Sequence, residues 1–215
     1  MYKRKRVTAI LLAGGTGARM GAEQNKVYLP LNGRPILQHA IERFGQHPYV
    51  DNIVLVIRAK EQRMITPLIQ EMAKPFHIVI GGETRQESVR NGLRDVKSPI
   101  VLIHDGARPY VGMADITRCI EALDTHDGAV VAVPAGAPIY QKTRRKTVRL
   151  TEDLYAAQTP QAFWRKTLSA CHRQFAAKPA ATDDSALLEQ AGYRVCVVPG
   201  STRNRKMTTA FDLAF

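Results

Sequence analysis

Val7-Thr8-Ala9-Ile10-Leu11-Leu12-Ala13 runs directly into Gly14-Gly15-Thr16-Gly17-Ala18-Arg19-Met20-Gly21. The first seven residues form a nearly unbroken apolar run, the pattern of a strand buried on both faces. The glycines that follow let the backbone approach an anion closely, and successive free N–H groups in such a turn form a nest for phosphate. The turn lacks the third glycine of a dinucleotide fingerprint and the Gly-Lys-Ser/Thr of a P-loop, which argues against both of those sites.

Short apolar runs of the same kind recur at residues 53–57, 78–80, 100–103, 129–133 and 195–198. Between them lie stretches with helical spacing. Residues 35–44 put Leu37, Ala40, Ile41 and Phe44 on one face, and Thr66-Pro67 reads as an N-cap and first-turn proline opening a helix through Met72. Val89, Leu93 and Val96 give a third stripe, and Ile116, Cys119, Ile120 and Leu123 a fourth. Strand and helix in alternation predict an α/β fold, a Rossmann-like, mainly parallel sheet flanked by helices. In such sheets ligands bind beyond the carboxyl ends of the strands. Near residues 134–158 the periodicity breaks around Pro138 and the basic stretch Lys142-Thr143-Arg144-Arg145-Lys146, which predicts a protruding hairpin arm or a solvated loop.

The 215 residues suit a single domain, 1–215, including that arm. No stretch is long and apolar enough to span a bilayer, and residues 7–13 are too short for a signal peptide, so a soluble, cytoplasmic protein with no membrane partner is expected. Cys119, Cys171 and Cys196 are widely spaced and suggest neither a zinc site nor a disulfide framework. The net charge of +12 admits anionic partners. Several of its cations fall at residues 3–6, 142–149 and 203–206 without interleaved aromatics, so no nucleic-acid partner is expected.

Beside the glycine turn stand two cations, Arg19 and Lys26, able to neutralise charge that builds on a phosphorus centre, although Lys26 taken alone reads equally as an ordinary surface lysine. Asp105 ends the run 100–103, where a carboxylate can organise Mg²⁺ or a ligand hydroxyl, or simply cap the next turn. Arg108 follows at the same mouth, and its planar fork suits a phosphate, or a surface ion pair.

Leu12-Ala13-Gly14-Gly15-Thr16-Gly17-Ala18-Arg19-Met20-Gly21, Gly81-Gly82-Glu83-Thr84-Arg85-Gln86-Glu87-Ser88-Val89, His104-Asp105-Gly106-Ala107-Arg108-Pro109, Gln158-Thr159-Pro160-Gln161-Ala162-Phe163, Thr182-Asp183-Asp184 and Asn204-Arg205-Lys206-Met207-Thr208 occur in one order along nearly the whole chain. Together they resemble the 2-C-methyl-D-erythritol 4-phosphate cytidylyltransferase family of sugar-nucleotide-type nucleotidyltransferases. The resemblance implies CTP and a polyol phosphate as substrates, Mg²⁺ as cofactor and a homodimer. It implies catalytic roles for Arg19, Lys26 and Lys206. Nucleotide binding would fall to Ala13, Gly14, Gly15, Thr16 and Gly17, with Gly82, Glu83 and Ser88 at the base. Acceptor binding would fall to Asp105, Arg108, Thr159 and Thr182, with Arg149 on the arm and Asp105 also on the metal.

The implied reaction is attack of an acceptor phosphate oxygen on the α-phosphorus of CTP, with release of pyrophosphate. A phosphate nucleophile is already anionic, so no general base is needed. Two departures fall on the acceptor side. Val133-Pro134 is followed by Ala135-Gly136-Ala137-Pro138 where the family carries an Asp-Thr pair, and Thr151 stands where the family has its arm arginine, with Arg149 two residues away. D-ribitol 5-phosphate therefore stays open as the acceptor, as does a noncatalytic nucleotide-binding protein.

Overall fold

The computed structural model describes residues 1–15, 25–69, 73–144, 146–151, 153–177 and 181–213. The strands are β1 (Val7–Leu12), β2 (Pro30–Leu31), β3 (Arg34–Pro35), β4 (Asn52–Ile57), β5 (Phe76–Ile80), β6 (Ile100–Asp105), β7 (Gly128–Pro134), β8 (Ile139–Lys142), β9 (Thr147–Leu150), β10 (Tyr155–Trp164) and β11 (Val195–Pro199). The helices are α1 (Ile36–Gln46), α2 (Gln62–Ile69), α3 (Arg85–Leu93), α4 (Met113–Glu121), α5 (Arg165–Gln174) and α6 (Asp184–Gln190).

Seven strands form the central sheet in the order β11-β7-β10-β6-β1-β4-β5. All neighbours run parallel except β10, which is antiparallel to β6 and β7. The period-two alternation of strands divides the core. Ala9 and Leu11 with Ile53, Leu55 and Ile57 pack with the buried faces of α1, α2 and α4, while Ile10, Val54, Val56, Val101 and Ile103 pack with α3, α5 and α6. Helices on both faces explain why β1, β4 and β6 read as continuous apolar runs rather than as alternating ones.

From β1 the chain builds β4 and β5 on one side and then returns to place β6 on the other. The crevice beyond the carboxyl ends of β1 and β6 is thus the topological switch point, where open α/β sheets bind ligands. Its edges are tied by Ala13 N–H to the Val56 carbonyl at 2.7 Å and Gly106 N–H to the Leu12 carbonyl at 2.9 Å. A Cβ at Gly106 would stand 2.8 Å from a Leu37 methyl and 3.0 Å from the Leu12 carbonyl oxygen, so only glycine closes this junction.

Two elements differ from the sequence reading. The helix predicted to open at Thr66 begins at Gln62, off a 3-10 turn, Ala59–Glu61, in which the Glu61 carboxylate accepts the Arg58 N–H at 3.3 Å. Its buried residues Ile65 and Ile69 set the register, and Pro67 falls on the exposed face, where water can satisfy the Arg63 carbonyl that the proline cannot. Its predicted end at Met72 lies outside the described residues. Val96, expected on the third helix, is buried three residues past the end of α3.

The stretch 134–158 leaves β7, folds back as the antiparallel pair β8–β9, and re-enters the sheet as β10. In that last strand Ala157 pairs with Ala132 and Gln161 with Val130, so residues 158–160 face Val131 alone. This bulge turns Gln158 and Thr159 toward the carboxyl end of β6.

Phe44 is fully buried on α1, its ring 4.9 Å from the ring of His104 on β6. Phe44→Ala is expected to cost about 3–5 kcal/mol of stability. Urea titration would show this as a lower midpoint at unchanged slope.

Candidate active site

The site is assembled at the ends of four segments. Beyond β1, Gly14 and Gly15 line a cavity of about 270 Å³ together with Lys26, Glu83, Ser88, Asp105 and Lys206. Thr16, Gly17 and Arg19 lie outside the described residues. Ala13 lies at the base of the glycine turn, its carbonyl accepting from Asn25 Nδ2 at 2.6 Å. Asn25 also caps the 3-10 turn Lys26–Tyr28, which fixes the start of the segment carrying Lys26.

A second wall is the start of α3. Thr84 caps the helix, its hydroxyl accepting the Glu87 N–H at 3.1 Å while Glu87 accepts the N–H groups of Glu83 and Thr84. The Gly82 N–H donates to Ser88 Oγ at 3.2 Å. A Cβ on Gly82 would lie 2.4 Å from the Glu87 Cβ, so the tight turn requires glycine. This turn presents backbone and hydroxyl groups at one edge of the cavity, the chemistry needed to read a pyrimidine edge.

Asp105 is the centre of the arrangement. Its carboxylate meets Lys206 Nζ at 2.6 Å and Arg85 Nε at 3.5 Å. Burial opposes ionisation, but Lys206, Arg85 and Arg108 outweigh it and hold the carboxyl well below the usual range. Arg85 reaches on to buried Asp184 at 2.6 Å, and Asp184 in turn meets His172 at 2.9 Å. Burial works against the Arg85 charge, yet Asp184 and Asp105 raise its pKa further still.

Behind Asp105 the hydrogen bonds define one proton arrangement. The Asp105 N–H donates to Thr159 Oγ1 at 3.0 Å, Thr159 Oγ1 pairs with His104 Nδ1 at 3.0 Å, and His104 Nε2 pairs with the Arg108 carbonyl at 3.1 Å. Since a carbonyl only accepts, His104 carries its proton on Nε2, and Nδ1 accepts from the Thr159 hydroxyl. Burial pushes His104 down to about 4, so the ring is neutral at pH 7. Thr159 therefore stands behind the cavity, supporting Asp105, rather than lining it.

Arg108 donates from Nη1 to the Asn204 carbonyl at 2.7 Å, and buried Asn204 donates to the Thr159 carbonyl at 2.8 Å. Met207 N–H bonds the Ala107 carbonyl at 2.8 Å. Residues 204–207 are thereby stitched to the β6 loop, which delivers Lys206 to Asp105. Thr182 is exposed, one residue before the Asp183 cap of α6, and Arg149 lies on β9, opposite Tyr140; neither lines the cavity. Sequence reasoning assigned no role to Arg85, His104, Asn204 or Asp184. Arg85 and Asp184 stood inside quoted motifs, but only the fold shows that they meet.

Among the described residues no three His, Cys, Asp or Glu side chains converge as a metal cage. Asp105, ionised and at the cavity, is the kind of single carboxylate that Mg²⁺ uses when phosphates and water supply its other ligands. The residues thus fit Mg²⁺ brought with a phosphate chain, not a resident all-protein ion.

A glycine turn, lysine and arginine side chains and a turn bearing backbone and hydroxyl groups meet at the switch point of a seven-stranded α/β sheet, the parts from which a nucleotidyltransferase is built. The sequence profile of the IspD family, 2-C-methyl-D-erythritol 4-phosphate cytidylyltransferase, matches residues 7–215, and the chain belongs to that family. The 2-C-methyl-D-erythritol 4-phosphate cytidylyltransferase of Geotalea uraniireducens is 40% identical over 97% of this chain and 94% of its own length. The bifunctional enzyme IspD/IspF of Granulibacter bethesdensis is 44% identical over 97% of this chain, which spans about half, 55%, of that longer protein. The crystal structure of 4-diphosphocytidyl-2C-methyl-D-erythritol synthase from Anaerococcus prevotii superposes with a TM-score of 0.89 at 30% identity, covering 98% of this chain and 94% of the other. The expected α/β fold and cytidylyltransferase family are thus both found.

His104 yields a pH test. The unfolded chain takes up its proton near the ordinary value of 6.5, the folded protein only near 4. Stability should be level in this respect above 6.5 and fall as pH drops through that window. His47, pushed down by burial to about 4, adds a similar share. His104→Gln should shrink the slope without abolishing it, read from urea midpoints between pH 7 and 4.

Proposed function

We propose that this chain transfers the cytidylyl group of CTP to 2-C-methyl-D-erythritol 4-phosphate, forming the CDP-alcohol and pyrophosphate. The observation that carries the reading is the Lys206–Asp105–Arg85 array facing Gly14 and Gly15 across one cavity. Family membership and the near-full-length relatives named for this activity support it.

In the proposed reaction an oxygen of the acceptor phosphate attacks the α-phosphorus, and the bond to the bridging oxygen of pyrophosphate breaks. The nucleophile is already an anion, so this chain's residues supply position and charge rather than a base. Glycine-loop N–H groups hold the triphosphate, with Thr16, Gly17 and Arg19 of the same loop assigned by resemblance. Gly82, Glu83 and Ser88 take the cytosine edge. Lys26 and Lys206 offset the charge that gathers on the α-phosphoryl oxygens. Lys206 does so by moving its ammonium from Asp105 to phosphate. Asp105, with the phosphates, would hold Mg²⁺, which supplies charge neutralisation to the leaving pyrophosphate.

Arg108, beside Asp105, would meet the acceptor phosphate, while Thr159 acts from behind through Asp105 and Thr182 stands off the cavity. The β8–β9 arm, with Ile139 and Tyr140 exposed and Tyr155 exposed where β10 begins, suits packing against a second copy. A homodimer in which Arg149 serves the neighbouring site follows from this reading, and the solution mass from light scattering tests it; a monomer would remove Arg149 from the site. Among the described residues no helix is long and apolar enough to cross a membrane, which suits the cytoplasmic location proposed.

The assay is Mg²⁺-dependent pyrophosphate release from CTP with 2-C-methyl-D-erythritol 4-phosphate, D-ribitol 5-phosphate or no acceptor. Turnover with the first alone is expected. Turnover with the second alone would assign the acceptor side, with its Ala137-Pro138 departure, to another polyol, and binding without turnover would make the chain a nucleotide binder. Lys206→Met should lower kcat about 10²–10³-fold, the usual loss of a transition-state charge partner.

A further inference from the structure

Glycines give the phosphate loop its close approach but nothing that holds it. A loop free to sample many conformations would have to be ordered when the nucleotide arrives, at an entropic cost. The structure supplies an external brace, and its central residue belongs to none of the motifs that mark the site.

Arg58 is the first residue beyond β4. Its Nε donates to the Gly14 carbonyl at 3.1 Å, and its Nη2 donates to the Gly15 carbonyl. Arg58 is itself held by Glu61, three residues on and only 3% exposed, through Nε at 3.7 Å and the Arg58 N–H at 3.3 Å. Glu61 also accepts from Asn25 Nδ2 at 3.1 Å, and that same nitrogen donates to the Ala13 carbonyl at 2.6 Å. Three successive carbonyls, Ala13, Gly14 and Gly15, are therefore pinned from outside the loop by one buried carboxylate acting through two side chains.

In a trans peptide the N–H points opposite to its C=O. Fixing the Ala13 and Gly14 carbonyls fixes the directions of the Gly14 and Gly15 N–H groups. Among the described residues neither N–H has an acceptor, and both glycines line the cavity that holds Lys206. Arg58 is not among the cavity's lining residues.

We propose that Arg58 is a positioning residue for nucleotide binding: it locks Gly14 and Gly15 so that their N–H groups are presented to the phosphate chain before the nucleotide arrives. Glu61 aligns Arg58 and ties Asn25, the cap of the Lys26 turn, into the same brace. The phosphate loop and the Lys26 cation are thereby set by one unit. The identity of the nucleotide as CTP rests on the function proposed above.

The test compares wild type with Arg58→Ala, Arg58→Gln and Arg58→Lys. Arg58→Ala should raise KM for CTP about ten-fold while KM for the acceptor stays within about two-fold, since the lost pre-organisation is paid only by the nucleotide. Arg58→Lys, with one ammonium in place of a two-pronged fork, should recover part of the loss. Added guanidinium at millimolar concentration should restore Arg58→Ala in part, which a folding defect would not allow. An unchanged CTP KM in a folded Arg58→Ala protein overturns the proposal, as does an equal rise for both substrates. Should Arg58→Ala not fold, Arg58→Gln is judged by the same criteria. CTP affinity by calorimetry keeps the two ideas apart. If wild type binds CTP but transfers nothing, the reaction is wrong, yet a weaker Kd in the Arg58 variants still supports the brace and an equal Kd still sinks it.

Discussion

A buried carboxylate between two cations organises this molecule. Asp105 is 13% exposed at its side chain and could not stay ionised there alone. Lys206 arrives from 101 residues later in the chain and Arg85 from 20 earlier, and Arg85 carries the pairing on to Asp184. Charges of this kind add little net stability, because their attraction mainly offsets desolvation. Their effect is on registry: each partner left alone would be an unpaired charge in a dry place. The C-terminal segment, the start of α3 and the start of α6 are consequently held at one end of β6.

The antiparallel strand β10 is the second half of that constraint. Inserted between β6 and β7, it enters from the arm and must still deliver polar groups to the carboxyl end of its parallel neighbour. The bulge at residues 158–160 achieves this. It sets Thr159 under the Asp105 N–H and against His104, and it puts Gln158 where Asn204 and the Ser201 carbonyl can use it. The arm and the site are thus joined through one strand.

What the sequence revealed follows from which interactions are local. β1, β4, β6 and β7 are short apolar runs because they are covered on both faces, β11 is an apolar run at the sheet edge with Val197 half exposed, and α1 and α4 show a clean stripe. β10 was not legible, since Gln158, Thr159, Pro160 and Gln161 interrupt its apolar pattern with buried polar groups whose partners lie elsewhere. α5 leaves no clear stripe in the sequence, because only Leu168, Cys171 and His172 of its ten residues are buried. α2 was placed late because Pro67 looks like a helix opener when its exposure is unknown. In the site, the glycine turn, Asp105, Arg108 and Lys206 could be read from motifs. The Arg85–Asp184 pair and the Arg58 brace could not, since they join residues 99 and 44 positions apart, and spacing carries no record of such contacts.

The arrangement also explains how a site so rich in cations stays ordered before an anion enters. Lys206, Arg85 and Arg108 crowd one carboxylate, and burial lowers the pKa of Arg108, with Arg85 adding to the shift and Asp105 opposing it. In the free protein Asp105 shares its charge among them and keeps Lys206 aimed at the cavity, while the Lys206 side chain remains 35% exposed. On the proposed reading, an arriving triphosphate would offer Lys206 a stronger partner, and Asp105 would help hold a divalent cation carried by the same phosphates. Binding then exchanges one set of charge pairs for another instead of creating them anew, which limits the desolvation cost of assembling the reacting centre. Arg58 and Glu61 stand outside this exchange. They hold the backbone donors still while the side-chain cations change partners, so the loop that must stay fixed and the lysine that must move are governed by separate residues.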